Sequence, residues 1–248
     1  MHRSVVIIPA RYSSTRFPGK PLAQICGKSM IVRVVEQAQK CREISQVLVA
    51  TDDHRIYDHL AERQIPVYMT SQSHESGTER VAALAETLWG SQPPEVIVNV
   101  QGDEPFLDPE QIGKLVRMFN NSDVTIATLM KQIGSYEELF NPNIVKVVPS
   151  VHNRAIYFSR WPVPFLRDVP ESEWALKHQY FKHIGIYAFR GKTLSALSKL
   201  QPTKEESAEK LEQLRWLSWR YPVHLEITRY ESVGIDTPED LTKALNKL

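Results

Sequence analysis

Arg11, Arg16 and Lys20 crowd into one short stretch, Pro9-Ala-Arg-Tyr-Ser-Ser-Thr-Arg-Phe-Pro-Gly-Lys-Pro-Leu22, beside Ser13, Ser14 and Gly19. Closely spaced phosphate oxygens need this mixture of fixed cations, hydroxyls and free backbone N–H groups, most of all when pyrophosphate departs. The alternative is a solvated basic loop, and position argues against it, because the stretch directly follows the β-branched run Val5-Val6-Ile7-Ile8. Two familiar phosphate motifs are excluded by spacing. No G-x-G-x-x-G is present, and Gly27-Lys28-Ser29 has Leu22 where a Walker A loop requires glycine. Lys28 therefore reads as an ordinary turn residue.

Carboxylates supply the second kind of chemistry. Gln101-Gly102-Asp103-Glu104-Pro105 sits where the run Val96 to Val100 ends. An acid placed there can hold Mg²⁺ against a phosphate, since that ion commonly takes one or two carboxylates and completes its shell with phosphate and water. Asp103 is the leading candidate ligand, against the plainer role of a turn-stabilising aspartate. Asp236 in Val233-Gly-Ile-Asp-Thr-Pro-Glu-Asp-Leu241 offers a partner. An acid before a helix is often its cap, but Thr237, Pro238 and Asp240 can supply the N-cap, the first-turn proline and the acidic third residue, which frees Asp236.

Strand-and-loop order must position these groups. Short apolar runs at Val5–Ile8, Val47–Ala50 and Val96–Val100 alternate with helical spacing over Met30–Lys40, Asp53–Arg63 and Gly77–Leu88. That alternation predicts an α/β fold with an open, mostly parallel sheet flanked by helices. Ligands in such sheets bind beyond the carboxyl ends of the strands, where both candidate loops lie. From residue 133 to 190 the rhythm changes, with prolines at 142, 149, 162, 164 and 170 and short strand-like pieces at Ile144–Val148 and Ile184–Phe189. The expectation is a single domain over 1–248 with 133–190 as an inserted lobe covering the acceptor or forming a subunit interface. Glu205–Trp219 reads as helical, Val223–Ile227 as a strand, and Pro238 as the start of a closing helix.

Composition narrows the function classes. The 248 residues are 42% hydrophobic, enough for one substantial core. Lys plus Arg total 30 against 29 for Asp plus Glu, a net charge of +1, so no global field attracts nucleic acid or a membrane. Cys26 and Cys41 form neither a C-x-x-C pair nor a disulfide framework; buried thiols in a reducing compartment are expected. The five-residue apolar run near the start is too short for a signal-peptide core or a membrane span, which makes cytoplasmic residence the expectation.

Together the motifs closely resemble the 3-deoxy-manno-octulosonate (Kdo) cytidylyltransferases, also called CMP-Kdo synthetases. The likeness rests on Ile8-Pro-Ala-Arg-Tyr-Ser-Ser-Thr-Arg-Phe-Pro-Gly-Lys-Pro-Leu22, Ser76-Gly-Thr-Glu-Arg80, Asn99-Val-Gln-Gly-Asp-Glu-Pro105, Phe140-Asn-Pro-Asn143, Tyr157-Phe-Ser-Arg160, His183-Ile-Gly-Ile-Tyr187, Leu211-Glu-Gln-Leu-Arg215 and Gly234-Ile-Asp-Thr-Pro-Glu-Asp240. They occur in the family's order over almost the whole chain. Phe17 and Ser29 stand where leucine and proline are common, and the stretch from Asp168 to Lys182 matches no family pattern.

The resemblance implies a nucleotidyltransferase domain with a dimerisation lobe, a homodimer, and transfer of CMP from CTP to Kdo for lipopolysaccharide synthesis. It places Arg11, Ser14, Arg16 and Lys20 on the triphosphate, Ser76, Gly77 and Arg80 at the cytosine, and Asp103 and Asp236 on magnesium. Lys20, Arg11, Asp103 and Asp236 form the implied catalytic set. Gln101, Arg160, His183, Tyr187, Glu212 and Gln213 would hold the acceptor. By residue type alone, His183 and Tyr187 read as satisfied groups in a half-apolar strand, and Glu212 and Gln213 as the solvated face of a charged helix; only the resemblance lifts them above that. The alternatives are a cytidylyltransferase for another sugar acid and a non-catalytic nucleotide-binding module. The intact set of Asp103, Asp236 and Lys20 argues against the module. An NAD-dependent oxidoreductase lacks its glycine fingerprint.

Overall fold

β-branched runs with no polar face belong in the middle of a sheet, and the computed structural model, which describes residues 3–13, 16–231 and 234–246, puts them there. The chain begins with β1 (Ser4–Ala10), a hairpin of β2 (Gln24–Ile25) and β3 (Lys28–Ser29), and α1 (Met30–Gln39). It continues through β4 (Gln46–Thr51), α2 (His54–Ala61), β5 (Val67–Met69), α3 (Gly77–Trp89), β6 (Val96–Asn99), α4 (Pro109–Met118) and β7 (Ile126–Gln132). Next come α5 (Tyr136–Phe140), β8 (Lys146–Pro149), β9 (Ala155–Ser159), α6 (Trp174–Lys177), β10 (Phe181–Arg190) and α7 (Gly191–Leu197). The last elements are α8 (Lys204–Glu209), α9 (Gln213–Ser218), β11 (Val223–Ile227) and α10 (Pro238–Leu245).

The central order is β11-β7-β10-β6-β1-β4-β5. β6, β1, β4 and β5 run parallel, β11 runs parallel to β7, and β10 is antiparallel to both of its neighbours. Every residue of β1 is buried. Val6 and Ile8 face the layer containing Ile31, Val34 and Val35 of α1, while Val5 and Ile7 face Val81 and Leu84 of α3. This is the two-residue alternation of a strand covered on both faces. Each such aliphatic side chain contributes about 1.5–3 kcal/mol by leaving water.

Three local expectations change. Phe181–Arg190, expected within the lobe, is a full strand of the central sheet between β6 and β7. Ile184, Ile186 and Ala188 fill one core layer, and Tyr187 and Phe189 fill the other. What departs from the sheet is the β8–β9 hairpin with α5 and α6, attached where β8 pairs with Phe181 and Lys182. Glu205–Trp219 is two helices, because Lys210 adopts φ 53° and ends α8. Cys26 is exposed while Cys41 is buried. The two-residue turn joining β2 to β3 takes positive φ at both Cys26 (46°) and Gly27 (79°), the geometry of tight hairpins. Burial pushes the Cys41 thiol up to about 12. Among the described residues no helix is long and apolar enough to cross a membrane.

Candidate active site

β1 leads on one side to β4 and β5, while β6 lies on its other side, so the strand order reverses between β1 and β6. The loops leaving their carboxyl ends diverge there and open a crevice. A cleft of about 440 Å³ occupies it, lined by Pro9, Arg11, Ser13, Arg16, Lys20, Gly77, Gln101, Gly102, Asp103 and Asp236. Gly102 allows the two loops to approach, since a Cβ there would lie 2.8 Å from the Pro9 carbonyl oxygen. Gly19 turns the cationic loop with φ 71°, and Lys20 follows as the first residue of a 3₁₀ turn.

Lys20 is the centre of the charge cluster. Its Nζ donates to Asp103 Oδ2 at 2.5 Å and to Asp236 Oδ1 at 3.0 Å. Arg16 takes the second oxygen of Asp236 at 3.1 Å. Burial opposes the Lys20 charge, but the attraction and hydrogen bonds of the two aspartates outweigh it and raise its pKa above the ordinary lysine value. Asp236 is free for this contact because Thr237 caps α10: its hydroxyl accepts from Asp240 N–H, while Asp240 Oδ2 accepts from the N–H groups of Thr237 and Asp236. The Ile235 N–H donates to the Asp103 carbonyl at 2.9 Å, tying the two segments together. Both carboxylates reach one nitrogen atom, so one cation can touch both, and two convergent carboxylates are a donor set that suits Mg²⁺. Among the described residues no cluster of three acidic, histidine or cysteine ligands exists, so further ligands would come from substrate or water.

Beyond the cleft residue Gly77, a second set of polar groups gathers at the start of α3 and on β10. Ser76 caps α3, accepting from Glu79 N–H, and donates to Glu212 Oε1 at 3.1 Å. Burial raises the Glu212 pKa, against hydrogen bonds from Thr78 and Ser76. Tyr187 lies opposite Asn99 in the β10–β6 ladder, and the Tyr187 hydroxyl and Asn99 Oδ1 are buried with no hydrogen-bond partner. Burial drives the Tyr187 pKa well up. A bulge between Ile184 and Tyr187 turns two β10 carbonyls toward Thr128, whose hydroxyl lies 3.1 Å from Ile184 O and 2.7 Å from Ile186 O. Carbonyls only accept, so the single Thr128 proton goes to them. His183 Nε2, 2.9 Å from the same oxygen, must then donate, which leaves Nδ1 as an acceptor. Burial lowers the His183 pKa to about 3, so the ring is neutral.

Arg80, Arg160 and Gln213, also expected at the site, are not among the residues lining this cleft. Arg80 is fully buried and is engaged by Asp52 (2.7 Å), Thr70 Oγ1 (2.5 Å) and Ser71 O, so it fixes the wall behind the α3 N-terminus. Arg160 donates to Glu209 O and Pro142 O, while its own N–H donates to the Glu209 carboxylate. Gln213 is buried at the start of α9. Ser14 lies outside the described residues. Sequence reasoning passed over Asp52 and Asn99. Asp52 directly follows β4, and the rule that directs attention to strand ends pointed to it; Asn99 stood unassigned inside a quoted motif.

Residues 5–222 match the family model described as Cytidylyltransferase. Over 240 residues the chain is 49% identical to the 3-deoxy-manno-octulosonate cytidylyltransferase of Cytophaga hutchinsonii, covering 96% of this chain and 95% of that protein. The chain belongs to the 3-deoxy-manno-octulosonate cytidylyltransferase family. The Parabacteroides distasonis 3-deoxy-manno-octulosonate cytidylyltransferase is 46% identical, with 99% and 98% covered. Among solved structures, a CMP:2-keto-3-deoxy-manno-octonic acid synthetase complexed with CTP superposes with TM-score 0.90 at 37% identity, covering 99% of this chain and 98% of the other. A Bacillus anthracis structure described as a putative glucose-1-phosphate thymidylyltransferase shares the fold, with TM-score 0.68 at 18% identity over 98% and 94% of the two chains. The mostly parallel sheet of this Kdo cytidylyltransferase family member is thus a nucleotidyltransferase sheet.

Proposed function

We propose that this enzyme transfers CMP from CTP to the anomeric hydroxyl of Kdo, releasing pyrophosphate and activating Kdo for lipopolysaccharide synthesis. One observation carries the reading: Asp103 and Asp236, from distant parts of the chain, converge on one nitrogen in a cleft lined by Arg11, Arg16 and Lys20. Near-full-length identity to named family members supplies donor and acceptor.

Arg11, Arg16, Lys20 and the Ser13–Ser14 segment bind the triphosphate, with Ser76 and Gly77 beside the nucleoside. The acceptor lies over Gln101, Tyr187 and Glu212, with Arg160, His183 and Gln213 completing its pocket. Tyr187 and Asn99 offer unpartnered polar atoms, and buried groups of that kind gain most from a ligand hydroxyl. The Kdo hydroxyl gives its proton to water and its oxygen forms a bond to the α-phosphorus as the bond from that phosphorus to the bridging oxygen breaks, and pyrophosphate leaves with the electron pair. Arg16 and Lys20 offset its charge. Asp103 and Asp236 would hold magnesium, which supplies Lewis-acid stabilisation of the phosphate and lowers the pKa of the attacking hydroxyl.

The lobe exposes Ile156, Trp161 and Phe165, apolar side chains of the kind a second copy covers, and a homodimer belongs to the proposal. Cytoplasmic residence does as well, keeping both cysteines reduced. The test is pyrophosphate release from a panel of nucleoside triphosphates against sugar acids, with magnesium present or chelated. Turnover confined to CTP with Kdo and lost on chelation is expected; strong preference for a nine-carbon acid overturns the acceptor assignment.

A further inference from the structure

A metal seat between carboxylates is normally a region of unbalanced negative charge. Here it is balanced by the chain itself. Lys20 Nζ contacts one oxygen of each aspartate, Arg16 covers the other oxygen of Asp236, and the Lys20 side chain is only 12% exposed. The lysine backbone is fixed by the Gly19 turn, by its N–H to Phe17 O and by Ala23 N–H to its own carbonyl, whereas its side chain is a flexible stem that can change partners. Both cations also line the cleft that would take the triphosphate.

We propose that Lys20 is a resident cation occupying the Asp103–Asp236 seat in the nucleotide-free enzyme, and that the triphosphate draws it away so that the divalent ion enters with the nucleotide. The inference rests on the magnesium and CTP assignments above. A free divalent ion must displace an ammonium already held at 2.5 and 3.0 Å. A nucleotide removes that competitor, because its oxygens are the stronger anionic partner for Lys20 and Arg16 and also add ligands for the ion. Two ligands whose binding is linked in this way raise each other's affinity reciprocally. Lys20 thereby sets the order of loading as well as meeting the phosphates.

Mn²⁺ serves as the probe, its free concentration read by electron paramagnetic resonance. Without nucleotide, Lys20→Gln is expected to bind Mn²⁺ more tightly than the wild type by on the order of tenfold, and adding Asp103→Asn to that variant is expected to remove the gain. Affinity that is unchanged or weaker in Lys20→Gln overturns the proposal, as does a gain that survives the second substitution. Wild-type protein provides an independent check if the variant does not fold: Mn²⁺ held as tightly without CTP as with it overturns resident-cation blocking. Failure of the underlying metal assignment reads differently, as undiminished Mn²⁺ binding to Asp103→Asn in the presence of CTP.

Discussion

The charged cleft and the polar cluster on β10 and at the start of α3 are made of different materials. In the cleft, charged side chains on loops satisfy each other, with Lys20 and Arg16 on Asp236 and Lys20 on Asp103. In the cluster, neutral groups stand on β10 and at the start of α3, fixed by backbone geometry, and some have no partner at all. Ion pairs made by flexible side chains at a cleft can change partners, which suits a site where, under the proposed function, a polyanion must arrive and pyrophosphate must leave. Buried neutral groups are costly to leave unmatched, which suits a site that must recognise one arrangement of hydroxyls. Under the proposed function, the contrast separates turnover from selection.

The largest expected effect tests the charged cleft. Asp103→Asn keeps the shape of the residue but weakens the seat, and turnover is expected to fall by about a hundredfold or more, with CTP binding by calorimetry partly retained. Near-normal turnover at saturating magnesium would break the comparison. A smaller effect is expected from Tyr187→Phe. Losing one hydrogen bond to substrate, worth about 1 kcal/mol, raises the KM for Kdo several-fold without changing that for CTP. The melting temperature should hold or rise, since the hydroxyl has no partner in the free protein. Equal increases in both KM values would show that the two regions do not divide the work.

The smallest effect is a pH dependence of stability. His183 has a pKa of about 3 in the fold against 6.5 for the unperturbed ring, so the unfolded chain binds the extra proton between those values. The stabilisation from a neutral His183 is complete above 6.5 and is lost as pH falls toward 3. His183→Asn lacks this loss, so its deficit in melting temperature relative to wild type should narrow from about pH 7 to about pH 5. A constant gap would mean that His183 is not held neutral by its surroundings.

The charged cleft was the more legible in sequence, for a physical reason. Its residues lie in contiguous loops just after strands, and Thr237-Pro-Glu-Asp240 announces its own helix start, so even the release of Asp236 from capping followed from local pattern. The polar cluster depends on registry between distant strands. The Tyr187–Asn99 pairing, the β10 bulge and the Thr128 contact that sets the His183 tautomer have no local signature. By residue type alone, those positions read as ordinary core. The place of β10 in the main sheet was missed for the same reason: an antiparallel strand returning after a long excursion is specified by the slot it fills between β6 and β7.

The contact between Lys20 and Asp236 spans 216 residues of sequence. A ribosome synthesising this chain makes the phosphate loop early and the second carboxylate long afterwards. A prematurely released or proteolysed fragment that ends before Asp236 therefore lacks half of the seat, however well its first strands have folded. Under the proposed function, turnover then requires that synthesis has passed Asp236 and that the two distant segments have met.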